Sequence, residues 1–235
     1  MKRRVLVCAA HPDDEVLGCG GAMARHVSDG DHVAVVIFAE GFTSRQASRD
    51  RGAATEELGL LRRSAMTANE ILGVTDVALY DFPDNRMDSM DMLDVVKAVE
   101  FHVERVRPDT VYAHSATDVN IDHRTLHEAV IAATRPMPGN QIKHLLFFEV
   151  PSSTEWQTPG SAPSFLPNWY VDVTGTLDLK LKALQAYDSE MRCWPHPRSI
   201  RNVEYLARVR GATVGVEAAE AFMLGRAIYR QEEVS

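Results

Sequence analysis

The feature that most constrains this chain is an alternation of short, almost wholly apolar runs with longer segments of helical period. Residues 4–10 (RVLVCAA), 32–39 (HVAVVIFA), 77–80, 110–113 and 144–150 (HLLFFEV) read as strands. Runs this apolar have no polar face to offer water, so they are expected to be covered on both sides, as in a parallel sheet. Between them, 15–28, 51–72, 92–106 and 122–134 read as helices, with Asp29-Gly30 and Gly73 stopping the first two. Such repetition predicts an α/β fold, a Rossmann-like, mostly parallel sheet with helices on both faces. Residues 169–173 are expected as a last short strand, and 178–191 and 201–230 as helices. The Pro- and Ser-rich stretch 151–168 breaks the rhythm and reads as a long functional loop or lid. With 235 residues, the whole chain is expected to form a single domain.

Charge and cysteine usage exclude several classes. A net charge of −8 sets up no field that gathers nucleic acid, so no nucleic-acid partner is expected. No apolar stretch reaches the roughly 18 residues of a membrane span. The apolar run after Met1-Lys2-Arg3-Arg4 is too short for a signal-peptide core. Cys8, Cys19 and Cys193 are odd in number and scattered, which fits reduced thiols in a cytoplasmic protein rather than a disulfide framework.

Ligands of open α/β sheets gather beyond the carboxyl ends of the strands. The first strand delivers Ala10-His11-Pro12-Asp13-Asp14-Glu15 to that edge. A histidine and an aspartate three residues apart converge on one ion if the chain turns between them, and Pro12 stiffens that turn. A solvated acidic helix cap beside an ordinary loop histidine would also account for these six residues. The fourth strand leads to Asp118-Val119-Asn120-Ile121-Asp122-His123 at the same edge. His11, Asp14 and His123 then make two imidazoles and one carboxylate with a position left open, the pattern of catalytic rather than structural zinc. Ferrous iron suits the same donors. Asp122 is placed to orient one of the ligands. His114, His127 and His144 read as structural.

The pair of motifs, Ala-His-Pro-Asp-Asp-Glu followed by Asp-x-Asn-x-Asp-His, resembles the LmbE/PIG-L family of N-deacetylases. The likeness extends to Glu70-Ile71-Leu72-Gly73, to 180–190, and to a tail containing Arg210-Gly211 and Ala219-Glu220-Ala221-Phe222. The resemblance implies His11, Asp14 and His123 as metal ligands and Asp13 as the base. It implies removal of acetyl groups from N-acetylated sugars or sugar conjugates on a Rossmann-like fold, and a homo-oligomer. Relatives often carry histidine where this chain has Asn120, so Asn120 is the expected hydrogen-bond donor to the reacting carbonyl. Asp13 can then serve as both base and acid. Glu40 and Arg45 after the second strand, and Arg86 after the third, are expected to bind substrate, an N-acetylated sugar or sugar nucleotide. Trp156 and Trp169 read as core aromatics, with sugar stacking as the alternative. Two other functions fit the same residues: a metal-dependent amidase of a thiol–sugar conjugate, and a metal-stabilised sugar-binding protein without turnover.

Overall fold

Five side chains in succession along Arg4–Ala9 (β1) have no solvent exposure, so β1 can only lie in the middle of a sheet. Val5, Val7 and Ala9 point into one apolar layer, and Leu6 and Cys8 into another. The computed structural model describes residues 2–229, and among these the further strands are His32–Ala39 (β2), Asp76–Phe82 (β3), Thr110–His114 (β4), His144–Phe148 (β5), Trp169–Asp172 (β6) and Ala219–Ala227 (β7). With β1 they form one sheet in the order β3-β2-β1-β4-β5-β7-β6. The first five pair in parallel, and β7 is antiparallel to both of its neighbours. Helices Asp14–Ser28 (α1), Thr55–Ile71 (α2), Leu177–Gln185 (α5) and Ile200–Val214 (α6) bury apolar residues in the first layer. Met92–Val106 (α3) and Ile121–Ala133 (α4) cover the second. The expected α/β architecture is therefore present. No helix among the described residues is long and apolar enough to cross a membrane.

Two helix expectations are corrected. The helix predicted over 201–230 is a helix only as far as Val214. Gly215 in the left-handed region (φ 80°) ends it, and Ala219–Ala227 is a strand; Arg230 lies outside the described residues. Ala, Glu, Met and Leu favour helix locally, but two open strand edges compete for this segment, and β7 pairs with β5 on one side and β6 on the other. The helix expected over 178–191 likewise stops at Gln185.

The crossover between β1 and β4 is where connections leave in opposite directions, and the crevice beyond those two strands is the natural ligand site. Helix α1 starts at that crevice and is broken farther along. Cys19 is non-helical (φ −148°, ψ 22°), freeing backbone groups inside a buried element. The Glu220 carboxylate accepts the Gly21 and Ala22 N–H groups at 2.9 and 2.7 Å, while Lys180 Nζ donates to the Leu17 carbonyl at 2.8 Å and to Glu220 at 2.6 Å. A buried ion pair thus supplies partners for both sides of the break. Gly18 lets the helix lie on the sheet, because a Cβ there would sit 2.3 Å from the Phe148 ring.

Candidate metal centre

The chain leaves β1 through His11-Pro12 and turns sharply at Asp13, a non-glycine residue in the left-handed region (φ 109°). Glu15 holds that turn: its Oε2 accepts the Asp13 N–H at 3.1 Å, and its Oε1 accepts from Tyr187 Oη at 2.6 Å and Asn69 Nδ2 at 3.0 Å. Burial pushes the Glu15 carboxyl up to about 7, with the Tyr187 hydrogen bond pulling the other way. The turn aims two successive carboxylates apart, Asp14 inward to the histidines and Asp13 toward Arg198.

Three ligand-type atoms meet there. His11 Nδ1 and His123 Nε2 each lie 3.1 Å from Asp14 Oδ2 and 3.3 Å from one another. His123 sits in the first turn of α4, and His11 lies two residues past the end of β1, so the crossover brings the two halves together. Each imidazole has a carboxylate behind it. His11 Nε2 is 3.0 Å from Asp122 Oδ2, and Asp122 is fixed by the N–H groups of Asn85 (2.6 Å) and Met87 (2.8 Å). His123 Nδ1 is 3.0 Å from Asp118 Oδ2, and Asp118 accepts hydroxyl hydrogen bonds from Ser153 and Thr154. With the outer nitrogens facing carboxylates, the inner lone pairs are left for a cation. Asp14 Oδ1 is buried with no hydrogen-bond partner. An orphaned carboxylate oxygen beside two facing imidazoles fits a bound divalent ion. Asp84 Oδ1, 3.4 Å from His11 Nε2, belongs to a second group with Asp122 that shares His11.

Electrostatics support the same division of labour. Burial disfavours a charged His123, but Asp14 and Asp118 outweigh it and hold the imidazole up at about 9. His11 is likewise raised, burial being overcome by Asp122 and Asp14. Burial works against the Asp14 charge, yet His123 and His11 hold its carboxyl well below the usual range. Asp118 is held down to about 2, its burial offset chiefly by His123. Asp13 is pushed up by burial, with Arg198 opposing. His114 is of a different kind. It stacks on His123 at 3.9 Å between centroids and accepts the Ala10 N–H at 2.8 Å, so its Nε2 lone pair is already used.

Residues 6–134, more than half of the chain, match the sequence profile described as PIG-L: GlcNAc-PI de-N-acetylase. This chain belongs to the PIG-L family. A 4-oxalmesaconate hydratase of Pseudomonas putida is 30% identical over 83% of this chain and 77% of its own length. A probable N-acetyl-alpha-D-glucosaminyl L-malate deacetylase 2 of Bacillus cereus is 25% identical over 81% and 84%. The solved N,N'-diacetylchitobiose deacetylase from Pyrococcus horikoshii superimposes with a TM-score of 0.72 over 94% of this chain and 84% of that one, at 19% identity, and shows the same fold.

The segment matched to the PIG-L family holds His11, Asp13, Asp14, Asp122 and His123; the structure brings His11, Asp14, Asp122 and His123 together, while the Asp13 carboxylate pairs with Arg198. The remaining expected site residues are placed differently. Asn120 caps α4: its Oδ1 accepts the Asp122 N–H at 2.9 Å and its Nδ2 donates to Asn85 Oδ1 at 3.0 Å. Both Glu40 oxygens are occupied by this chain's own donors, Arg49, Arg51 and Thr43, all at 3.1 Å or less. Arg45 donates to Glu190 at 2.6 Å. Among the described residues the Arg86 side chain makes no hydrogen bond or ion pair. Trp169 packs on the core and against His144, as expected of a core aromatic. Trp156 instead is 54% exposed, so core packing does not explain it. Sequence reasoning missed Asp118, although it opens the second motif, and also Glu190 and Arg198. Arg198 closes the unusual run Cys193-Trp194-Pro195-His196-Pro197, a rigid aromatic loop that was the available signal.

Proposed function

We propose that the protein is a metal-dependent hydrolase that removes the acetyl group from an N-acetylated sugar or sugar nucleotide, releasing acetate. The observation that carries this reading is the convergence of His11 Nδ1, Asp14 Oδ2 and His123 Nε2 to within 3.3 Å of one another, with Asp14 Oδ1 buried and unpartnered and a separate buried carboxylate on the neighbouring residue, Asp13. Zinc suits these donors, and ferrous iron does also. A divalent ion held by His11, Asp14 and His123 would supply Lewis acidity and would lower the pKa of water there to about 7. Asp122 and Asp118 orient His11 and His123. Asp13 takes the proton from the attacking water and returns it to the amine nitrogen as the amide bond breaks, one group serving both steps. A site needed only for stability would have no use for a base beside it, which argues against a binding protein without turnover.

The 30% identical hydratase makes addition of water to an unsaturated acid the reaction to set against deacetylation. The test is a screen of zinc- or iron-loaded protein for acetate release from acetylated sugars and sugar nucleotides, with an unsaturated polycarboxylic acid as the competing substrate. Asp13→Ala is expected to abolish turnover while retaining metal, and His123→Ala to lose both. Full activity of the first variant ends the assignment of Asp13. Turnover of the unsaturated acid alone replaces deacetylation by hydration.

A further inference from the structure

Hydrolysis of an amide builds negative charge on the carbonyl oxygen, and sites for this reaction place a donor where that charge develops. Asn120, the residue expected to do so, spends its amide on the α4 cap and on Asn85. Arg198 stands in a better position. Its Nη1 lies 3.0 Å from Asp13 Oδ2, and its Nε donates to Ser152 Oγ at 2.7 Å. Its Nη2 makes no hydrogen bond among the described residues, so the guanidinium has N–H groups to spare.

Several features hold this side chain where it is. Ser152, its anchor, is one of the few non-glycine residues in the left-handed region (φ 71°), and Asp13, its other partner, is another. Strained backbone of this kind persists where the surroundings over-determine it. The Arg198 N–H donates to His196 Nδ1 at 3.1 Å, and the next residue, Ser199, caps α6. Glu190 Oε2, buried and 3.7 Å from Nη1, keeps a counter-charge beside the guanidinium while Asp13 carries a proton. The Arg198 side chain is 24% exposed against 1% for Asp13, so it forms the polar edge between the sealed centre and solvent. Ser152, Glu190 and Arg198 all lie beyond the residues matched to the family profile.

We propose that Arg198 is a catalytic residue that donates a charged hydrogen bond to the carbonyl oxygen of the acetamide; this rests on the deacetylase reading of the site. As the water oxygen bonds to the carbonyl carbon, the C=O π pair moves onto oxygen, where an Arg198 N–H meets it, and the water's proton passes to Asp13. When the carbonyl re-forms, the C–N bond breaks and Asp13 gives that proton to the nitrogen. The products are the free amine and acetic acid, which ionises in solution.

The test compares Arg198→Ala and Arg198→Lys with the wild type, all metal-loaded. Loss of one such donor is expected to lower kcat by about 10²- to 10³-fold with KM within about threefold. Metal content and Tm are expected to stay unchanged, and millimolar guanidinium ion to restore part of the R198A rate. The lysine variant, a point charge without the planar fork, is expected to fall between. Unchanged kcat, or a loss of metal or folding without guanidinium rescue, overturns the proposal. Acetate titrated calorimetrically into the loaded proteins reads the same donor without turnover. Binding at least tenfold weaker in R198A supports the assignment, and equal affinity overturns it. A wild type that releases no acetate from any sugar, yet shows that difference, sinks the deacetylase reading and leaves the donor in place.

Discussion

Raising the pH from 6 to 8 should tighten zinc binding to the metal-free protein by about two orders of magnitude through His123 alone. Without metal, Asp14 and Asp118 hold that imidazole protonated up to about 9, against the effect of burial. At pH 7 the ring is therefore mostly imidazolium, and a cation must displace the proton, which costs on the order of 3 kcal/mol. Each unit of pH below 9 changes the neutral fraction about tenfold, so log affinity rises with a slope near one from this group. His11, also raised, contributes a second proton and steepens the slope. His114 is held well below its ordinary range by burial and by His123, so it is neutral throughout and adds nothing.

The stability of the metal-free protein follows the same sign. A histidine whose folded pKa is raised stabilises fully below its unfolded value, about 6.5, and that contribution disappears as pH climbs through about 9. Metal-free protein should thus lose stability between those limits, while loaded protein, with the His123 ring no longer an imidazolium, should not follow. Competition with a chromophoric chelator at pH 6, 7 and 8 measures the affinity. Calorimetry in two buffers of different ionisation enthalpy counts the protons released. Asp118→Asn should weaken binding at pH 8 by about 10- to 100-fold, because the ligand loses its orienting carboxylate. Affinity that is flat from pH 6 to 8, or an Asp118→Asn variant indistinguishable from wild type, refutes the reasoning.

Two further outcomes test the framework that carries the site. Lys180→Met should destabilise the protein by about 3–5 kcal/mol in urea unfolding, since it strands the buried Glu220 charge and leaves the Leu17 carbonyl without its partner; a change under about 1 kcal/mol would mean that the ion pair does not secure the break in α1. Gly18→Ala puts a methyl group 2.3 Å from the Phe148 ring, which itself packs edge-on against His114 at 4.6 Å. Overpacking of about 1–3 kcal/mol is expected, read as a lowered Tm, and a Tm equal to that of wild type rules out the close approach.

Much of this protein was legible in its sequence because the relevant signals are local. Apolar runs such as 32–39 have no polar face, so they declare buried strands wherever they end up. The metal-type motif is legible for a related reason: His11 and Asp14 sit three residues apart in one turn, and His123 opens a helix after another buried strand. Strand-edge placement alone is then enough to bring them to one crevice. Ala219–Ala227 was misread because its residues favour helix locally, while its conformation was decided by two strands waiting for a partner. The use of Asn120 as a cap, the saturation of Glu40 by Arg49 and Arg51, and the meeting of Arg198 with Asp13 across 185 positions were likewise invisible. Sequence spacing reports which side chains share a turn or a strand end. Whether a polar atom arrives free or already paired depends on distant loops that only the packed chain brings within hydrogen-bond reach.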